Sequence, residues 1–298
     1  MELIFLLLMA WTNVIGAAGE QAKADALKLE LLQKSEAVLY AEQAPTVMNA
    51  DVSLIPAITY PGDAVLVRTK KAMEIKWQGK TYPLLPFDSG YFTYLPIPLA
   101  TKPGNYSIEG QTLQVKTKKF PTDMLTVTKQ QEAMKQDTKR INADQLKINL
   151  ARSKSDPTFA STDSFMMPIQ GRLSTPYGYT RYVNGKYDGS HTAIDLAAPT
   201  GTEIHATNGG RIVLAETLYL TGNSIYMDHG MNLFSQYAHL SKLMVKTGDI
   251  VKKGDVIGLV GTTGFSTGPH LHFTFWVGNN PVNPNLFFDT TPFQWGKK

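Results

Sequence analysis

All six histidines of this 298-residue chain fall between positions 191 and 272, and the first 190 residues contain none. Histidines used only for packing have no reason to gather in this way. The sharpest local signal is Pro269-His270-Leu271-His272, which opens the segment HLHFTFWV. In a strand, residues i and i+2 project from one face. His270 and His272 are therefore expected to point together, with Leu271, Phe273, Phe275 and Val277 filling the core behind them. Two imidazoles so placed suit a division of labour, one on a metal and the other on a substrate. A second group is His191-Thr-Ala-Ile-Asp195. Its spacing fits a helix, but Gly189 before it and Pro199-Thr-Gly201 after it predict a loop running into a strand. A third group is Tyr237-Ala-His239-Leu240. Neutral imidazoles with one carboxylate suit Zn²⁺, whose catalytic sites keep three protein ligands and one open position. The chain has no cysteine, so a thiolate site, a cysteine nucleophile and a disulfide framework are excluded. A metal must then be held by His, Asp, Glu or water.

The segments that must position these residues are short and rich in β-branched and aromatic side chains. GRIVLAE (210–216), NSIYMDHG (223–230), NLFSQYAHL (232–240), DIVKKGDVIGLVG (249–261) and HLHFTFWVG (270–278) predict an all-β unit with tight turns. Upstream, AVLVRT (64–69), MEIKWQG (73–79), GYFTYLPIPL (90–99), NYSIEG (105–110) and TLQVKT (112–117) predict a small β-sandwich. Between the two, residues 127–153 carry no glycine or proline and place Met134, Ile141, Leu146 and Ile148 among charges, the texture of a helical connector. The fold class is thus mainly β: an N-terminal sandwich, a helical connector and a C-terminal antiparallel sheet. We place a signal segment at 1–24, a helical leader at 25–50, the sandwich at 51–126, the connector at 127–160 and the C-terminal domain at 161–298. Residues 3–10, LIFLLLMA, are too short for a membrane span, so none is expected in the mature chain. The small residues Gly16, Ala17 and Ala18 that follow fit a secretory signal, although Met1-Glu2 lacks the usual cation. The formal net charge of +4 is spread along the chain rather than gathered in an arginine-rich arm, so nucleic-acid binding is not expected.

A longer pattern runs from Phe165 to Asn285. It comprises Tyr177-Gly178 with Arg181, His191 with Asp195, Gly201-Thr-Glu-Ile-His-Ala206, and Asn223 with Asp228-His-Gly230. Tyr237-Ala-His-Leu-Ser241, Val245-Lys-Thr-Gly-Asp249, Lys253-Gly254, Gly261-Thr-Thr-Gly264 and Ser266-Thr-Gly-Pro-His-Leu-His-Phe273 complete it. In order and spacing this resembles the lysostaphin- and LytM-type zinc metallopeptidases, which cut peptidoglycan peptides. The resemblance implies one zinc per chain held by His191, Asp195 and His272, with His239 and His270 as the catalytic histidines. One position departs from the family pattern: Ala193 stands where glycine is usual, and alanine is penalised if φ there is positive. No HExxH motif is present, so the chemistry differs from that of thermolysin-like enzymes. The rival reading is a catalytically dead relative that activates a cell-wall amidase. Such relatives lose zinc ligands or catalytic histidines, and here all five positions are filled.

The remaining candidates are weaker. His205 is read as a packing residue and His229 as shaping a turn before Gly230. The tyrosines at 177, 179, 182 and 187 are read mostly as β-packing, with Tyr187 a candidate substrate contact and oxyanion donor. GDAVLVRTK, GKTYPLLPF, KPGNY and Phe120-Pro121 resemble the immunoglobulin-like domain that precedes exported peptidases of this family in Gram-negative bacteria. That resemblance implies a periplasmic enzyme acting on peptidoglycan bonds between D-alanine and diaminopimelate; a regulatory protein partner is open, and the sequence identifies none. The connector cations Lys129, Lys135, Lys139, Arg140 and Lys147 read as a solvated face. The competing expectation is that connector and sandwich pack across the substrate groove.

Overall fold

The computed structural model describes residues 51–292. The signal segment and helical leader expected over 1–50 lie outside the described residues. Val52–Ile55, Ala64–Thr69, Gly90–Pro96 and Leu85–Phe87 form, in that order, a four-stranded antiparallel sheet. A second layer has Gln111–Val115 between Ile58–Thr59 and Gly104–Ile108. Val65, Val67 and Leu95 meet Ile75, Trp77, Leu113 and Val115 in the sandwich core, and the Trp77 indole N–H donates to Pro96 O at 2.8 Å.

The other face of the four-stranded sheet is also buried. Ala64, Leu66, Phe92 and Tyr94 join Phe165, Phe275 and Phe287 of the C-terminal half in one larger core. The Phe92 ring lies 5.6 Å from Phe159, and Tyr94 lies 6.0 Å from Phe287. Double-sided burial explains the unbroken apolar run AVLV, where a half-exposed strand would alternate. Burying Leu66 and Phe92 contributes roughly 1.5–3 kcal/mol each, which favours one relative placement of the two halves. The sequence reading gave no sign of this second face.

The C-terminal half is built on an antiparallel sheet ordered Arg172–Thr175, Ile194–Ala197, His270–Val277, Leu233–Leu240, Gly222–Asp228, Gly210–Leu218 and Ile250–Val251, with Asn280–Val282 also paired to His270–Val277. This order is not the chain order. It sets the His270–Val277 strand between the strand carrying Asp195 and the strand carrying His239. A three-stranded sheet of Thr122–Leu125, Thr180–Val183 and Lys186–Ser190 stands beside it. Its first pair is parallel and brings a segment from ahead of the connector to the C-terminal half.

The connector forms two helices. Lys129–Met134 starts at a capping box, in which Thr128 accepts from Gln131 N and the Gln131 side chain accepts from Thr128 N. Thr138–Ala151 is capped by Asp137, which accepts from Arg140 N at 3.1 Å. Ile148 packs on Leu214, Leu218 and Tyr226 of the sheet. Leu146 is 72% exposed. The cations are not simply solvated: Lys147 pairs with Glu216 at 2.8 Å, Arg140 lies 4.2 Å above the Tyr219 ring, and Lys135 pairs with Asp188. Among the described residues no helix is long and apolar enough to cross a membrane.

Candidate metal centre

Register brings the first donors together. Within the sheet Asp195 stands opposite His272, and Ile194 opposite Phe273. Asp195 and His272 therefore share a face, while Leu271, Phe273 and Phe275 are fully buried on the other. His191 sits in the loop just before the Ile194–Ala197 strand, as expected. Its backbone is pinned by His191 N to Tyr179 O at 2.8 Å and Gly178 N to His191 O at 2.7 Å. Gly178 is required there: its φ is +88°, and a Cβ would stand 2.1 Å from the Phe120 ring. Ala193 is fully buried with an ordinary negative φ, so the methyl group in place of glycine introduces no backbone strain.

Three donor atoms then close on one point. Asp195 Oδ1 lies 3.1 Å from His191 Nε2 and 2.9 Å from His272 Nδ1, and the two nitrogens are 3.4 Å apart. Among the described residues this is the cluster of His, Asp and Glu donors able to hold one metal ion. A triangle of that size fits an ion with bonds of about 2.0–2.2 Å, and two imidazoles with one carboxylate suit zinc. His191 Nδ1–H donates to Pro176 O at 3.1 Å, which leaves the Nε2 lone pair for the ion. Burial alone would raise the Asp195 carboxyl, but the His191 and His272 imidazoles outweigh it and hold the group well below the ordinary carboxylate range.

His239 reaches the same face by a different route. Ala238 is paired with His272, so in a regular strand His239 would turn to the core with Tyr237 and Phe273. Instead the register shifts between Asn223 and Ile225, opposite this stretch, and His239 takes φ +65°. That bulge swings its ring to 5.7 Å from His272 and 4.9 Å from His270. Nδ1–H donates to Thr263 O at 2.8 Å, an approach that needs Gly222, where a Cβ would lie 2.2 Å from Thr263 Oγ1. Burial, His272 and His270 together push the His239 pKa down to about 3. His270 donates Nδ1–H to Gly268 O at 2.8 Å and turns Nε2 to within 3.8 Å of Asp195 Oδ1.

Asp195, His239, His270 and His272 line an open cleft of about 380 Å³. Its other walls include Asp123, Leu125, Arg181 and Phe265-Ser266-Thr267, none of which the sequence reading assigned to the site. Arg181 was visible only as part of a motif, and Asp123 carried no signal. Tyr187 does not line the cleft: it is 68% exposed, edge-on to Tyr182 at 5.9 Å. Tyr177 is buried and donates its hydroxyl to Pro281 O at 3.2 Å. His205 donates to Gly254 O at 2.9 Å, outside the cleft. His229 does more than precede a turn. It is buried among Phe165 and Phe275, spans Gly209 O and Ser235 Oγ at 2.8 Å each, and has its pKa pushed down to about 4 by burial.

Two imidazoles and a carboxylate converge on one point, with two more histidines beside them, and together they form a candidate metal centre in an open cleft. Residues 189–284 match the sequence model of peptidase family M23. Over 116 residues the chain is 41% identical to the DD-carboxypeptidase/endopeptidase Mpg of Neisseria meningitidis, a match covering 39% of this chain and 27% of that one. Over 119 residues it is 42% identical to the glycyl-glycine endopeptidase ALE-1 of Staphylococcus capitis, covering 39% of this chain and 32% of that one. The chain thus spans under a third of the length of these curated relatives. A solved chain from Pseudomonas aeruginosa assigned to peptidase M23 superposes with TM-score 0.59 at 27% identity, covering 76% of this chain and 93% of that one.

Proposed function

We propose that this chain is an exported zinc endopeptidase that hydrolyses peptide cross-links of bacterial peptidoglycan, at bonds between D-alanine and diaminopimelate in the periplasm. The observation that carries the reading is the convergence of His191 Nε2, Asp195 Oδ1 and His272 Nδ1 beside His239 and His270. Zinc, when bound there, supplies a Lewis acid for the scissile carbonyl and lowers the pKa of water towards neutrality. His239 and His270 each commit Nδ1–H to a backbone carbonyl, which leaves Nε2 to accept a proton from water. Once protonated, the same nitrogen can donate to the developing oxyanion. The low pKa of His239 means that it starts in the neutral form.

The relatives named above support an endopeptidase but divide over the bond, since one is named a DD-carboxypeptidase/endopeptidase and the other a glycyl-glycine endopeptidase. A non-catalytic amidase activator is disfavoured because all five ligand and catalytic positions are filled. Purified sacculi digested with the zinc-loaded protein should yield fragments that end in D-alanine, with the diaminopimelate amine freed, identified by mass. Release of glycine-terminated fragments from glycine-bridged walls alone would reassign the bond. No new peptide termini from either wall would overturn the reading.

The Lys129–Met134 helix is the candidate gate. Gln131 donates to Ser266 O at 2.8 Å, Lys135 pairs with Asp188 and lies 5.0 Å over the Phe265 ring, and Glu132 pairs with Lys186 at 3.1 Å. It therefore ties the 186–190 strand to the 265–266 wall of the cleft. The Gln131 and Lys135 contacts are partly exposed and together hold the helix by roughly 1 kcal/mol, which is about fivefold in a closed–open balance. Gln131→Ala combined with Lys135→Ala is expected to speed digestion of intact sacculi by about that factor. An unchanged or slower rate would leave the helix as a fixed wall.

A further inference from the structure

Arg181 stands between two carboxylates that come from different parts of the chain. The parallel pairing of Thr122–Leu125 with Thr180–Val183 sets Asp123 opposite Arg181. Arg181 Nε donates to Asp123 Oδ2 at 2.9 Å, and Nη2 lies 3.6 Å from Asp195 Oδ2. The three side chains are only 19%, 23% and 9% exposed, so water screens these charges weakly.

Asp195 uses its two oxygens for different purposes. Oδ1 converges with the imidazole nitrogens of His191 and His272, whereas Oδ2 faces Arg181. A carboxylate without an outer partner is free to rotate and to exchange the two oxygens. A planar guanidinium, itself anchored at Nε, restricts that rotation. Asp123 has a second effect, since it balances a positive charge that would otherwise compete with a bound cation.

We propose that Arg181 is a positioning residue for the metal centre, and that Asp123 positions Arg181 in turn. The strand ahead of the connector thereby becomes part of the site, although it lies well upstream of the family-matching segment. This inference rests on the zinc reading above.

The test is the zinc affinity of the full chain, measured by competition with a chelator, for wild type, Arg181→Gln, Arg181→Lys, Asp123→Asn and the Asp123→Asn/Arg181→Gln double variant. Loss of outer-sphere partners typically weakens metal binding by about 10–100-fold, and a loss in that range is expected for Arg181→Gln. Arg181→Lys keeps the charge but not the fork, and should not restore affinity. Asp123→Asn should weaken binding alone yet add nothing in the Arg181→Gln background. A purely electrostatic role predicts the opposite sign, because removing a cation beside the site would tighten zinc; that result, or unchanged affinity, overturns the proposal. So does rescue by lysine, which would show that the planar guanidinium fork is not needed. Melting of the zinc-free variants at the wild-type temperature separates lost positioning from lost fold. Absence of zinc binding by wild type would instead overturn the underlying metallopeptidase reading.

Discussion

Neither His191→Ala nor Asp195→Ala is expected to retain stoichiometric zinc, and both should fall to the background rate of hydrolysis. Each removes one corner of a donor triangle whose sides are 2.9–3.4 Å, leaving two donors where a catalytic zinc site uses three. The loss is compounded at Asp195, whose Oδ1 is the contact common to both imidazoles and whose Oδ2 is the one facing Arg181. Asp195→Asn is the informative companion. It keeps the shape while removing the charge, so it should keep the fold yet bind zinc poorly. Metal content by elemental analysis, with circular dichroism as the control for folding, decides the matter. Full zinc retention in His272→Ala would show that the ligand set assigned here is wrong.

A different split is expected for the other two histidines. His239→Ala and His270→Ala should retain zinc but lose hydrolysis by roughly 10²–10⁴-fold, the scale on which positioned acid–base groups act. The geometry gives the reason. Both rings abut the donor cluster without belonging to it, and both have Nδ1–H occupied by a backbone carbonyl. His239 needs a careful substitution because its φ is +65°. Asparagine tolerates that conformation better than alanine, so His239→Asn separates lost chemistry from added backbone strain. Near wild-type digestion of sacculi by both zinc-loaded variants would remove these residues from the mechanism.

Much of this site could be read along the chain because it rests on short-range periodicity. Two histidines at i and i+2 in a strand must share a face, and His270 and His272 do. The apolar residues interleaved with them had to pack behind, and Leu271, Phe273 and Phe275 are fully buried. Proline and glycine around His191 and Asp195 favoured a loop running into a strand over a helix, and the strand does begin at Ile194. The helical connector followed from a stretch without glycine or proline. Tyr187 was placed near the substrate because it lies four residues before His191, but sequence proximity does not decide which side of a hairpin faces a cleft.

What the sequence determined by itself was the inventory: the histidines and aspartate, the absence of thiolates, the β texture of both halves and the helical segment between them. The tertiary structure alone decided how these parts meet. Strand alternation would have turned His239 into the core, and only a register shift with a left-handed backbone brings it to the metal face. Asp123 joins the site through a parallel pairing that sets it opposite Arg181, 58 positions along the chain. The sandwich sheet turns its second face into the C-terminal core in the same non-local way. Local propensity reports which face a side chain takes within one element. It carries no information about which distant element is available to pair, because that choice depends on the total surface buried when the whole chain closes.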